Sequence, residues 1–352
     1  MVATPLQDRL DALSAEGEVY RELPEGRVRC LACAHRCLIP PGRRGVCQVR
    51  YNQDGRLRVP FGYVAGVQAD PTEKKPFFHV LPGSTVLTFG MLGCDLHCPY
   101  CQNWVSSQAL RDPRAGFSPS PTSPEELVAL ARRAGARLVA SSYNEPLITV
   151  EWAVAVFREA RRAGLRTLFV SNGHATPEVL AYLRPWCDGY KIDLKSMSDR
   201  QYRRLGGRLE PVLETVRQAH RLGFWVEVVT LVVPGFNDSD GELREAAAFI
   251  ASVSPAIPWH VTAFHPDYRM QTALPTTVRR LLEAARIGRE AGLAFVYVGN
   301  VWDPQAHRWE NTWCPGCGAL LVERFGFAVT ANRLTGEGRC PECAFAVPGV
   351  WN

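Results

Sequence analysis

Three cysteines, Cys94, Cys98 and Cys101, fall within eight residues of the stretch GMLGCDLHCPYCQNW. A four-iron, four-sulfur cube takes one ligand per iron, and cysteine thiolates supply them. Three thiolates on one short loop can therefore hold three irons and leave the fourth open to an outside ligand. A structural zinc site wants four protein ligands. His97 could complete such a set, which makes zinc the lesser reading here. Nine further cysteines bring the total to twelve. Cys30, Cys33, Cys37 and Cys47 form one group, with two, three and nine residues between them. Cys314, Cys317, Cys340 and Cys343 form two Cys-x2-Cys knuckles with twenty-two residues between, the spacing of a structural zinc ribbon. In a large chain whose start, MVATPLQDRLDALSAEGE, lacks the apolar core of a secretory signal, such clusters read as metal ligands rather than disulfides. The first group suits zinc or a second iron–sulfur cluster equally. Cys187, alone in RPWCDGY, reads as a small buried apolar side chain.

Other chemistry-bearing residues gather where strand-like runs end, in SYNEP, SNG, DLK, VPGFND and FHPD. They include Asn144, Glu145, Asn172, Asp193, Lys195 and His265. Each has a plainer explanation as well. Asp193 and Lys195 could be only an ion pair, Asn172-Gly173 only a turn, and His265 only a strand cap. Glu145 gains least from such a role. Only four of the forty basic residues are lysines, namely Lys74, Lys75, Lys191 and Lys195. Where surface charge is otherwise written in arginine, a lysine is a candidate for specific work, because its compact ammonium is not interchangeable with a guanidinium.

The elements that must position these residues alternate regularly. TVLTFGML, RLVASSYN, RTLFVSN, GYKIDLK, WVEVVTLVVPG, PWHVTAFH and AFVYVGN are apolar and β-rich, as parallel strands buried on both faces should be. Between them lie helical patterns opened by SPEE or TPE, with Ser or Thr as cap and Pro in the first turn. Gly135, Gly164, Gly223 and Gly292 follow helices. Six strand–helix units and one extra strand predict a parallel α/β fold. A full or partial TIM-type barrel fits, with a doubly wound sheet as the alternative, and both place a site at the strand ends. The length allows one barrel-sized domain with appendages. The expected division is a Cys-rich segment over 1–82, the barrel over 83–302 and a zinc-ribbon-like segment over 303–352. A net charge of +5 is mild. It argues for neither nucleic acid nor a membrane surface. With no apolar run long enough to span a bilayer, the expected location is cytoplasmic.

Cys-x3-Cys-x2-Cys after the first strand of such a fold resembles the radical S-adenosylmethionine (radical SAM) superfamily. Nearly the whole chain resembles the AmmeMemoRadiSam system radical SAM protein, through EKKPFFHVLPGS, CPYCQNW, YNEP, SNGHATPE, KIDLK, GGRLEPVLETVR, WVEVVTLVVPGFND, PWHVTAFHPDYRM and FVYVGNV. That family is itself similar to pyruvate formate-lyase activating enzymes. The resemblance implies a partial (β/α)6 barrel and a [4Fe-4S] cluster on Cys94, Cys98 and Cys101. It also implies S-adenosylmethionine as the outside ligand, cleaved to a 5′-deoxyadenosyl radical that abstracts hydrogen. It places Tyr100 against the adenine, and Asn144, Glu145, Ser171, Asn172, Asp193, Lys195 and His265 around the rest of the cofactor. Implied partners are an electron donor such as flavodoxin or ferredoxin, a protein or small-molecule substrate, and Memo-like and AMMECR-like proteins. Activation of a glycyl-radical enzyme is the alternative activity, and a metal-loaded interaction module the rival class. One departure stands out. Activating enzymes usually carry Gly-Gly-Glu-Pro where this chain has Tyr143-Asn144-Glu145-Pro146, and Tyr and Asn cannot let a backbone approach a ligand as glycines do.

Overall fold

The computed structural model describes residues 5–352; residues 1–4, at the start of the N-terminal segment, lie outside the description. Its centre is an eight-stranded sheet: β1 (Gly66–Pro71), β2 (Thr85–Gly90), β3 (Leu138–Ser141), β4 (Arg166–Ser171), β5 (Gly189–Asp193), β6 (Trp225–Val232), β7 (Trp259–Ala263) and β8 (Val296–Gly299). The strands lie in sequence order from β1 to β8. All pair in parallel except β1, which runs antiparallel to β2. A doubly wound sheet would reverse its strand order at a switch point. The order here never reverses, so right-handed crossovers carry every helix to one face. The other face is left as an interior. The sheet is also open: β1 and β8 are its two edges, and among the described residues no full barrel closes.

Helices open at SPEE and TPE, as the sequence pattern predicts. In α1 (Pro124–Arg133) the Ser123 hydroxyl accepts from Glu126 N–H, and the Glu126 carboxylate accepts from Ser123 N–H, a reciprocal cap. Thr176, Ser239 and Thr277 cap α2 (Pro177–Leu183), α3 (Asp240–Val253) and α4 (Val278–Glu290) through their hydroxyls.

The concave face is filled by residues 72–81. Phe77 packs on Val86, Leu138 and Leu168, at the starts of β2, β3 and β4. Phe78 meets His260 and Tyr297 with ring centroids 4.8 and 4.7 Å away. The buried Glu227 carboxylate of β6 accepts from Phe78 N–H and His79 N–H (3.0 Å each), Trp225 Nε1 (2.9 Å) and His260 Nε2 (2.6 Å). The C-terminal segment closes over this plug. Arg324 is fully buried, lies 4.2 Å above the Phe78 ring and donates to Phe78 O and Thr312 Oγ1. Val350 bridges Val80 in parallel.

The N-terminal head, small antiparallel sheets over residues 14–60, is anchored by the buried Arg50–Glu151 pair, with two contacts of 2.7 Å. Glu151 also accepts from Glu18 N–H and Val19 N–H. The divisions expected at 82/83 and 302/303 are thus crossed by a strand pairing, by the plug and by Arg324. No helix among the described residues is long and apolar enough to cross a membrane.

His79 makes the C-terminal lock sensitive to acid. Its Nδ1 meets Pro348 O at 2.7 Å and its Nε2 meets Tyr297 Oη at 2.6 Å. Burial lowers its pKa to about 4, with Glu227 opposing. An unfolded histidine titrates near 6.5. Between those values the unfolded chain holds a proton that the folded chain does not, so stability falls as pH drops from about 6.5 to about 4. The thermal midpoint should fall over that window, and His79→Gln should flatten the dependence. Equal slopes in the two proteins would count against this account.

Candidate active site

β2 ends in GMLGC, and the chain must turn sharply to present its thiols. Gly93 takes φ +100°, and a side chain there would press on Val49 and Ile148. The loop is pinned by Gly93 N–H to Ser106 O (3.0 Å) and His97 N–H to Leu205 O (2.9 Å). Leu96 N–H donates to Cys94 Sγ at 3.3 Å, and Cys101 Sγ lies 3.3 Å from Ser107 Oγ. Cys98 is buried among Leu96, Tyr100, Leu205, Val233 and Phe264. Burial pushes the Cys98 thiol up to about 12, so a thiolate there needs a metal to displace its proton.

The three thiols of this loop do not gather within 4.8 Å, whereas Cys314, Cys317, Cys340 and Cys343 do. Ligands of one ion surround one point. Ligands of a cube each sit on a different iron and stand farther apart. At the C-terminus, Sγ of Cys314 and Cys343 are 3.6 Å apart and those of Cys317 and Cys340 are 3.7 Å apart. Cys30, Cys33, Cys37 and Cys47, though close in the head, form no group within 4.8 Å. Cys187 is fully buried in the core, as read from its sequence setting.

Cys98 and Cys101 open onto a cavity of about 380 Å³ at the C-terminal ends of the strands. Tyr100, Asp193 and Lys195 also line it, with Lys74, Lys75, Lys191 and Tyr143. Tyr100 packs edge-on against Phe236, centroids 5.4 Å apart. Lys195 Nζ donates to Asp193 Oδ2 at 3.2 Å, and Lys191 Nζ binds Asp193 Oδ1. Burial would raise the Asp193 carboxyl, but the two lysines together hold it down at about 2. His265 stands exposed at the rim, 2.9 Å from Gln102 Nε2.

The other expected contacts face elsewhere. Glu145 accepts from Ser171 Oγ (2.7 Å), Asn172 N–H (2.8 Å) and Leu147 N–H (3.0 Å). Asn144 Oδ1 accepts from Met91 N–H at 2.9 Å. Asn144, Glu145, Ser171 and Asn172 are all buried, and their side chains form a bonded wall behind the cysteine loop rather than lining the cavity. Burial and the nearby Asp95 charge raise Glu145 to about 8 against its three hydrogen bonds.

Asp95, inside the cysteine motif itself, was not singled out in the sequence. It is fully buried and accepts from Asn172 Nδ2 (2.7 Å) and His174 Nδ1 (3.0 Å), while its carbonyl meets His35 Nε2 at 3.2 Å. Burial opposes its ionisation, but His174, His35 and Asn172 hold the carboxyl below the ordinary range. His35 lies between Cys33 and Cys37, and Ala34 N–H donates to His174 O at 2.8 Å. The Cys-rich head is thereby docked against the cysteine loop. No spacing rule marks Asp95, because the positions between motif cysteines are free in the pattern.

The family model described as Radical SAM superfamily matches residues 89–250. An uncharacterized protein of Methanocaldococcus jannaschii is 37% identical over 331 residues, covering 93% of this chain and 97% of that protein. The isethionate sulfite-lyase activating enzyme of Nitratidesulfovibrio vulgaris is 28% identical over 125 residues, 34% of this chain and 41% of that enzyme. The pyruvate formate-lyase-activating enzyme of Staphylococcus aureus is 23% identical over 194 residues, 52% of this chain and 76% of that enzyme.

Asp95→Ala would leave the Asn172 amide and the His174 imidazole buried without their partner, at about 1–3 kcal/mol each. Denaturant unfolding should show a loss of about 2–6 kcal/mol, with Asp95→Asn milder. A change within about 0.5 kcal/mol, as for an ordinary surface site, would overturn the role given to this carboxylate.

Proposed function

Because the chain belongs to the radical SAM superfamily, we propose that it is an oxidoreductase acting on a substrate held in the lysine-lined cavity. The observation that carries this reading is the placement of Cys98 and Cys101 on the cavity wall beside Tyr100, Asp193 and Lys195. A [4Fe-4S] cluster on Cys94, Cys98 and Cys101 would supply the electron that splits S-adenosylmethionine into methionine and a hydrogen-abstracting 5′-deoxyadenosyl radical. The protein's share is to bind, orient and exclude water. Tyr100 offers an aromatic wall, and the Asp193–Lys195 pair offers both charges to an amino acid moiety. His265 and Gln102 stand at the mouth. Asn144, Glu145, Ser171 and Asn172 hold the loop and strand ends in register from behind.

The cysteine groups outside the loop are given separate metals. A tetrahedral zinc with bonds of about 2.3 Å spaces its sulfurs about 3.8 Å apart, which suits Cys314, Cys317, Cys340 and Cys343. The wider-set Cys30, Cys33, Cys37 and Cys47 suit a second iron–sulfur cluster better than a single ion. A cytoplasmic enzyme fed by flavodoxin or ferredoxin, working with Memo-like and AMMECR-like proteins, is the setting that the family resemblance implies. Activation of a glycyl-radical enzyme is the second reading, supported by the similarity to activating enzymes.

Anaerobically reconstituted and reduced protein should release 5′-deoxyadenosine from S-adenosylmethionine, and Cys98→Ala should abolish the release while the chain stays folded. Cleavage by Cys98→Ala at the wild-type rate would sink the assignment. Cys340→Ser should lower bound zinc by about one atom per chain and loosen the C-terminal segment, since structural zinc contributes folding energy. Iron in place of zinc at that site would refute its half of the proposal.

A further inference from the structure

All four lysines of the chain line the one cavity onto which Cys98 and Cys101 open, although thirty-six of the forty basic residues are arginines. Lys74 and Lys75 come from the plug and Lys191 and Lys195 from the middle of β5 and the loop after it, so the fold collects them from two distant stretches. Two carboxylates face them. Asp70 takes Lys74 (2.8 Å) and Lys75 (3.0 Å), and Asp193 takes Lys191 and Lys195 (3.2 Å). Four ammoniums against two carboxylates leave two positive charges in excess around the cavity.

The excess is not spread evenly. Lys195 shares the cavity wall with Cys98 and Tyr100 and is paired with Asp193. Lys74 is half-exposed to solvent. Lys75 and Lys191 have side chains only 5% and 7% exposed. An ammonium carries three donors. Among the described residues Lys191 Nζ has Asp193 as its one hydrogen-bond partner, while Lys75 Nζ has Asp70 and the Tyr143 hydroxyl (2.9 Å). Donors are therefore left over on both, nine-tenths buried and on the cavity wall. Burial, with the charges of Lys74 and Lys191, pulls the Lys75 ammonium below its ordinary value even against Asp70. That is the response of a cation enclosed with too little negative charge.

We propose that Lys75 and Lys191 form the recognition site for a carboxylate or phosphate group, so that the substrate is a small anionic molecule rather than a glycine-bearing protein loop. This rests on the radical-enzyme reading and names its substrate class. A carboxylate or phosphate would occupy the spare donors and cancel the excess charge. The substrate would then lie on the floor built by the plug, with its remaining part toward the cysteine loop. A neutral glycyl loop would leave the net positive charge of the cavity wall unanswered.

The test uses the full-length, anaerobically reconstituted holoenzyme with S-adenosylhomocysteine as an uncleavable companion. Inorganic phosphate and malonate are titrated separately by calorimetry. The wild type should bind at least one of them, and phosphate alone or malonate alone tells which anion class the site takes. Lys191→Met and Lys75→Gln should each weaken binding by about tenfold or more, whereas Arg137→Met, in a different groove, should not. Thermal unfolding identifies a variant that has lost its fold, and in that case Lys74→Met at the rim should still weaken binding severalfold. Wild type that binds neither anion overturns the proposal, as does equal binding by wild type and folded Lys191→Met. A parallel assay for 5′-deoxyadenosine separates the two failures. Release without anion binding removes the substrate class and leaves the radical enzyme, while no release removes the radical reading itself. Deuterium passing from a labelled glycine loop to 5′-deoxyadenosine, undisturbed by either anion, would also overturn the anionic substrate.

Discussion

The cysteine loop can be held open for chemistry because a carboxylate beside it is fully buried and fully bonded. Asp95 has no exposed surface, so every donor it meets must come from the protein. Those donors come from the loop after β4, through Asn172 and His174, while the Asp95 carbonyl takes His35 of the N-terminal head. A single residue between two thiols therefore fixes three parts of the chain to one another. Asn172 passes the constraint onward, since its N–H bonds Glu145, which is also held by Ser171. The wall behind the loop is a continuous polar network, with His174 Nε2 its one polar atom left without a partner among the described residues.

Glu227 does the same for the plug. Four donors from three segments converge on it, and two are the backbone amides of the plug. The plug's height in the concave face is thus set by a side chain of β6 together with the packing of Phe77 and Phe78. That height decides where Lys75 emerges. Arg324 then covers the same segment from the C-terminal side, so the tail with its four gathered thiols acts on the floor of the cavity through packing.

The strand–helix order was legible because each parallel strand carries its own apolar run and several helices their own cap. The cysteine groups were legible because their spacing is local. β1 was not. GVQADP holds a glycine, two polar residues and a proline, lies mostly toward solvent, and joins the sheet only because β2 offers it an edge. Nor could the sequence say which way a strand-end residue faces. Tyr100, Asp193 and Lys195 turn into the cavity, while Asn144, Glu145, Ser171 and Asn172 turn behind the loop, and that choice depends on neighbours distant in the chain. Asp193 and Lys195 show that the plain reading and the functional one need not exclude each other. They are an ion pair, and they line the cavity. The scarcity of lysine was the one compositional trace of the cavity's charge, with nothing local to pair Lys75 with Lys191.

The departure at Tyr143-Asn144 has a physical explanation in the same place. Tyr143 sits at φ +69°, a conformation suited to glycine that costs other residues about 1–3 kcal/mol. Room for its side chain comes from Gly90, where a Cβ would lie 2.8 Å from both Tyr143 Cβ and Ser142 O. The backbone therefore keeps the course that glycines would allow, and a ring is added to it. That ring lies 4.6 Å beneath the Lys75 ammonium, and its hydroxyl accepts from the same nitrogen. A glycine here would leave Lys75 without both contacts. Asn144 in turn spends its amide on Met91 N–H and its own chain, tying the end of β3 to the start of the cysteine loop. The replacement of two glycines thus exchanges close backbone approach for a built side-chain wall, and the wall orients one of the two lysines with spare donors.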